Sequence, residues 1–200
     1  MVGNVRIPLN TADFAPIAER IANANPDFLQ IFLPPGAVSV GFSKALAARG
    51  LTQKVTIVGQ GEAEDSDLHL FDDSIVGFKS IIYIDANATN AENKAFSAWL
   101  TKTHGANAHA NSFNIGAYDA MQLAYKMIAD SAGKKWDGVA AVKALSGYTY
   151  KSPRGNVTID PATREPIQNF YLREVVKGPD GTKRNKVIKT WTQVKPTAFD

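Results

Sequence analysis

At 200 residues, 44% hydrophobic and 20% charged, the chain is long enough to bury a core and too apolar to stay disordered. No apolar run approaches the ~20 residues of a membrane-spanning helix, and the lack of cysteine excludes disulfides, thiolate metal sites and cysteine nucleophiles. The net charge of +3 is unevenly spread, with 7 Lys+Arg against 11 Asp+Glu in residues 1–100 and 15 against 8 in residues 101–200, but the basic excess is scattered. A nucleic-acid surface needs a packed basic run with interleaved aromatics, so nucleic acid is not an expected partner.

Met1-Val2-Gly3 leads directly into strand-like sequence, so no secretory-signal pattern is expected within these first residues. Asn4 to Leu9 reads as a short strand. Thr11 or Asp13 can cap a helix that has Pro16 in its first turn and Phe14, Ile17, Ala18, Ile21 and Ala22 on one face. "FLQIFL", Phe28 to Leu33, predicts a buried strand ended by Pro34-Pro35-Gly36. A helix to about Arg49 follows, with Val38, Phe42, Ala45 and Leu46 inward and Gly50 as its stop. "KVTIVG", Lys54 to Gly59, is the third strand of a β-α-β-α-β pattern, which belongs to a parallel sheet with covering helices.

Six carboxylates between Glu62 and Asp73 then suggest a solvated acidic loop with one helical turn, and Ile75 to Ile84 a further strand. Three helices follow. Asn90 to His104 places Phe96, Trp99 and Leu100 inward. Asn111 to about Ala132 places Ala117, Met121, Ala124, Tyr125 and Ile128 on its inner side. Trp136 to Leu145 uses Val139, Val142 and Leu145. The last third turns to strands, "GNVTI", "IQNFYLREV" and "KVIKTWTQV", the final two joined through the Asp-Gly turn of "KGPDGTK".

His69, His104 and His109 lack metal-ligand spacing, and no nucleophile elbow or phosphate-binding loop is present, so neither a catalytic residue nor a metal or cofactor site is expected. Open parallel sheets bind ligands just beyond the carboxyl ends of their strands. Two such ends are glycine-rich and let backbone approach a ligand: Pro35-Gly36, and Gln60, Gly61 and Glu62. Glu62 can pair with a cationic group, and Phe113, opening the long helix, can be a stacking face. Backbone, one carboxylate and an aromatic wall suit holding a ligand better than transforming one. A small α/β enzyme therefore lacks its constellation.

Four stretches resemble the second half of periplasmic solute-binding proteins of the leucine/isoleucine/valine-binding type, the type I fold that serves ABC transporters. They are "VRIPLNTADFAPIAERIANANPD", "LAARGLTQKVTIVGQGE", "NKAFSAWLTKTHGANAHANSFNIGAYDAMQLAYKMI" and "SPRGNVTIDPATREPIQNFYLREV". The resemblance implies a Rossmann-like parallel-sheet lobe with helices of the other lobe and closing strands, the N-terminal part of the first lobe being absent. By it, residues 1–82 are second-lobe material, 83–150 the helical portion of the first lobe, and 151–200 the hinge return and closing strands. It implies capture of a small carboxylate-bearing solute, an amino acid or an aromatic or organic acid, in an interlobe cleft. It also implies an ABC permease as partner and a periplasmic location, with a signal peptide upstream. Pro35, Gly36, Gln60, Gly61, Glu62 and Phe113 would face that cleft, Glu62 or Gly61 standing where amino-acid binders place the partner of the ligand's ammonium. A cytoplasmic sensor on the same fold is the alternative. A first lobe without its sheet would expose the apolar faces of the middle helices, and self-association of the chain is expected to cover them.

Overall fold

A computed structural model describes residues 1–197. It divides into two compact units, residues 1–82 with 171–189, and residues 83–170 with 190 onward. The chain therefore passes between the units three times. Residues 151–170 stand with the helices of 83–150, and 171–189 with residues 1–82. Residues 198–200 of the expected closing segment lie outside the described residues.

In the first unit, helix α1 (Ala15–Ala24) begins where the Asp13 carboxylate accepts the Ala15 N–H at 2.9 Å, and it ends at Asn25 in the left-handed region. Phe14, Ala18 and Ile21 pack against Phe42 and Leu46 of α2 (Ala37–Ala48), together with Leu51, Val55 and Ile57. The Phe14 and Phe42 rings meet edge to face at 6.0 Å, and Gly41 lets them approach, because a Cβ there would lie 2.8 Å from the Phe14 ring. Each fully buried Phe, Leu or Ile contributes about 1.5–3 kcal/mol, so this cluster is a substantial part of the unit's stability, beside a second buried cluster of Ala63, Leu68, Phe71, Ile75 and Val175. Gly50, at φ 67°, links α2 to the single turn α3 (Leu51–Lys54).

Strands β1 (Phe28–Gln30), β2 (Thr56–Gly59) and β3 (Lys79–Ile82) pair in parallel, Phe28 opposite Thr56 and Val58 opposite Lys79. The second half of β6 (Pro166–Lys177) runs antiparallel to β3, from Lys79 opposite Glu174 to Ile82 opposite Tyr171. Strand β7 (Lys183–Val194) pairs with β6 after the Asp180-Gly181 turn, where the Gly178 N–H donates to the Thr182 carbonyl.

Three sequence expectations are corrected in this unit. Residues 4–9 form no strand, for no described strand pairs with them and Pro8 lacks a donor; Ile7 instead packs on the core cluster. The strand expected over 28–33 ends early, because Pro34-Pro35 stops the ladder after Ile31 donates to Val58, and Phe32 faces solvent. The strand expected over 75–84 starts only at Lys79, since a 3-10 turn (Asp73–Ile75) and Gly77 at φ 91° occupy its beginning.

The second unit contains α4 (Ala91–His104), α5 (Ser112–Asp130), α6 (Gly138–Ala144), and a hairpin of β4 (Thr149–Ser152) and β5 (Gly155–Ile159) that pairs with the start of β6. Asn111 caps α5 reciprocally: its side chain accepts the Phe113 and Asn114 N–H groups, and the Asn114 side chain accepts the Asn111 N–H. Between β5 and β6 the Asp160 carboxylate accepts the N–H groups of Ala162 and Thr163 at 2.7 and 3.0 Å. These bonds hold its pKa below the ordinary carboxylate range.

The inner face of α5 is also corrected. Met121, Tyr125 and Ile128 are 50%, 64% and 60% exposed, whereas Ile115 and Asp119 are buried. The helix is apolar on more than one side, so its periodicity does not choose a face; an ion pair at Asp119 does. Likewise Val139 and Val142 of α6 face solvent while Ala141 and Leu145 are buried. On α4, Phe96 and Leu100 are buried, and Trp99 lies half exposed between the rings of Phe96 and His104.

Candidate functional site: the strand-end loops

The first unit places two loops at the carboxyl ends of β1 and β2. After β1, Pro35 is exposed, and Gly36, at φ 87°, opens α2. The Ser39 hydroxyl donates to the Pro34 carbonyl at 2.6 Å, fixing the turn. After β2, Gln60 is exposed and Gly61 half-buried, but Glu62, Ala63, Glu64 and Asp65 are all buried. The expectation of a solvated acidic loop is therefore overturned for residues 62–65. The reason is a set of anchoring bonds that make burial of carboxylates tolerable.

Glu62 is 1% exposed. Its Oε1 accepts the Leu33 N–H at 2.9 Å and its Oε2 accepts the Gln60 N–H. Burial pushes its pKa up, against the opposing pull of the Leu33, Glu62 and Gln60 backbone N–H groups. Gly59 makes room for this arrangement: a Cβ there would collide with Glu62 Oε2 and lie 2.9 Å from the Phe78 ring. Asp65 accepts the backbone and side-chain N–H groups of Asn185, both at 3.0 Å, and the Asn185 side chain also donates to the Ala63 carbonyl at 2.9 Å. The fully buried Arg173 guanidinium lies 3.9 Å from Asp65 and donates to the Ser80 hydroxyl at 3.1 Å. Neighbouring Asp67 has its pKa raised by burial and partly lowered by His69. A cavity of about 180 Å³ lies between α2, β2 and residues 74–79; of the candidate residues only Glu62 lines it.

In the second unit Phe113, in the first turn of α5, is 70% exposed, and the Tyr83 hydroxyl donates to the neighbouring Ser112 carbonyl at 3.3 Å. Sequence reasoning missed a buried polar group in the same unit. Arg154 Nε donates to Asp119 Oδ2 at 2.8 Å, one terminal nitrogen donates to Gln168, and the guanidinium stacks over the Tyr83 ring at 4.9 Å. Burial raises the pKa of adjacent Tyr150, and the Asp119 carboxylate adds to the effect. The available signal was a charge inside an apolar pattern: Asp119 within "AYDA", and Arg173 within "FYLREVV". Among the described residues no group of three or more His, Asp or Glu is placed to hold a metal ion, and no helix is long and apolar enough to cross a membrane.

Loops beyond the carboxyl ends of parallel strands are where open α/β sheets hold ligands, and the first unit has two glycine-containing loops at such ends, after β1 and after β2. Residues 1–181 match the family model described as periplasmic binding protein, and the chain belongs to that family, with the type I fold. It is 38% identical over 193 residues to Leu/Ile/Val-binding protein homolog 6 of Brucella melitensis, covering 96% of this chain and 49% of that protein. A solute-binding protein of an ABC transporter from Rhodopseudomonas palustris HaA2, in complex with p-hydroxybenzoic acid, superposes with a TM-score of 0.87 at 38% identity, over 96% of this chain and 52% of that one. A second R. palustris solute-binding protein, in complex with 4-hydroxybenzoate, gives 0.85 at 39%, over 94% and 51%. The chain thus spans about half the length of the relatives it matches. The family and fold are those of solute-binding proteins, not of an enzyme family.

Proposed function

We propose that this chain is part of the extracytoplasmic solute-binding component of an ABC uptake system, and that its solute is a small carboxylate-bearing molecule of the aromatic-acid class. The observation that carries the reading is the 38–39% identity, over nearly the whole chain, to proteins in complex with hydroxybenzoates. The candidate solute-facing loops of the first unit are Pro35, Gly36, Gln60, Gly61 and Glu62, and in the second unit, taken by itself, the candidate is the exposed Phe113 ring. Affinity then follows from burying an aromatic ring against preformed apolar and amide surface, with no chemistry required. A membrane permease reads the loaded form, and the location is periplasmic. The exposed face of α5, centred on Met121, Tyr125 and Ile128, pairs copies of this chain.

Thermal unfolding of the chain with benzoate, 4-hydroxybenzoate, 3,4-dihydroxybenzoate, leucine and valine tests the reading. A ligand at one hundred times its Kd stabilises by about 2.7 kcal/mol, which is a readily measured rise in Tm. The expected result is a rise with a hydroxybenzoate. No rise with any of the five overturns it.

A further inference from the structure

We propose that Glu62 is a positioning residue of the solute site and not the partner of a solute ammonium group, so that the loops it joins take a solute with no cation at that end. The proposal rests on the solute-binding reading above and narrows it.

Both oxygens of Glu62 are engaged by backbone. Oε1 holds the Leu33 N–H, at the start of the Pro34-Pro35-Gly36 turn, and Oε2 holds the Gln60 N–H, at the end of β2. One side chain thus ties together two loops that are 29 residues apart in the chain. Its carboxylate is folded back over Gly59, away from solvent, in space that a side chain at residue 59 would fill. The next carboxylates are no more accessible: Glu64 is buried, with an oxygen 3.4 Å from where a Gly61 Cβ would stand, and Asp65 is taken by Asn185.

At the strand-end surface residues 60–65 therefore expose no carboxylate, and the space Glu62 borders is the cavity beside α2 and β2. What these two loops do present is the Pro35 ring, the Gly36 and Gly61 backbone and the Gln60 amide. Uncharged dipoles can satisfy a hydroxyl or a ring edge. They do not repay the desolvation of an ammonium, which needs a paired anion when buried. Glu62 shapes the site at one remove, by fixing the distance between the loops.

The test compares wild type with Glu62→Gln, which keeps the shape but turns one acceptor into a donor. In the ¹⁵N-labelled wild-type chain, the Leu33 and Gln60 amide protons should titrate together, and in the variant that shared titration should vanish. Loss of a bond to a charged acceptor should speed solvent exchange of at least one of the two amides by about ten- to hundred-fold. Amides indifferent to pH and to the substitution overturn the clamp.

Titrations with 4-hydroxybenzoate and leucine complete the test. Wild type is expected to bind 4-hydroxybenzoate and not leucine, and Glu62→Gln to weaken 4-hydroxybenzoate binding by loosening the loops. Binding of leucine that Glu62→Gln abolishes, with 4-hydroxybenzoate binding untouched, identifies an ammonium partner and overturns the proposal. If wild type binds neither solute, the solute reading falls and the narrowing with it, while the amide titration still decides whether Glu62 ties the loops.

Discussion

Asp119→Ala should be among the most destabilising single changes in the second unit. The carboxylate is 3% exposed, and its Oδ2 receives Arg154 Nε at 2.8 Å. Truncation leaves a guanidinium buried beside uncharged groups, Gln168, Tyr150 and the Tyr83 ring, without the Asp119 carboxylate. Removing one partner of a buried pair costs about 3–5 kcal/mol, because the remaining charge is uncompensated. That is a large part of the 5–15 kcal/mol, roughly, that holds a domain folded. Replacing both members, Asp119→Leu with Arg154→Met, removes both desolvation costs and should recover most of the loss. Equilibrium urea unfolding followed by circular dichroism, on wild type, both single variants and the double variant, gives the coupling energy directly. A loss below about 1 kcal/mol for Asp119→Ala, or a double variant whose loss equals the sum of the singles, refutes the reasoning, since a buried pair cannot behave additively.

Gly59→Ala should cost about 1–3 kcal/mol by urea unfolding, because the new methyl group meets the Glu62 carboxylate and the Phe78 ring. Stability should also carry the sign of the raised Glu62 pKa. The folded state holds that proton more tightly than the unfolded chain, so the contribution of Glu62 is most favourable below about 4.5 and declines as pH rises through its folded pKa. The wild-type advantage over Glu62→Gln should accordingly shrink from pH 4 to pH 7, and an advantage that grows with pH contradicts the assignment. Asp160 has the opposite sign. Its lowered pKa stabilises above the unfolded value of 3.8 and the benefit is lost as pH falls through the folded one, so Asp160→Asn should flatten the acid limb of the stability profile. Light scattering should find self-associated chains that Tyr125→Glu with Ile128→Lys converts to monomer, and a monomer in the wild type counts against pairing through α5.

Element types were legible wherever one physical signal stood alone. The helix-strand-helix-strand order from Ala15 to Gly59, the Asp13 carboxylate at the start of α1, the Pro-Pro stop after β1 and the Asp-Gly turn before β7 follow from periodicity, capping and backbone restriction, all of which act within a few residues, whereas the opening strand expected over 4–9 did not form. The family resemblance was legible too, carried by four stretches that span nearly the whole chain.

Tertiary structure alone determined which side of α5 turns inward, because the choice is made by Arg154, 35 residues from Asp119 in the chain. It alone showed that the first part of the acidic loop, residues 62–65, is buried while Asp72 and Asp73 stay exposed, since carboxylates read as solvated until Leu33, Asn185 and Arg173 are seen to reach Glu62 and Asp65. Local sequence encodes backbone preference within a turn or two. The burial of a charge depends on partners brought from 29 to 120 residues away, and that pairing exists only once the chain has folded.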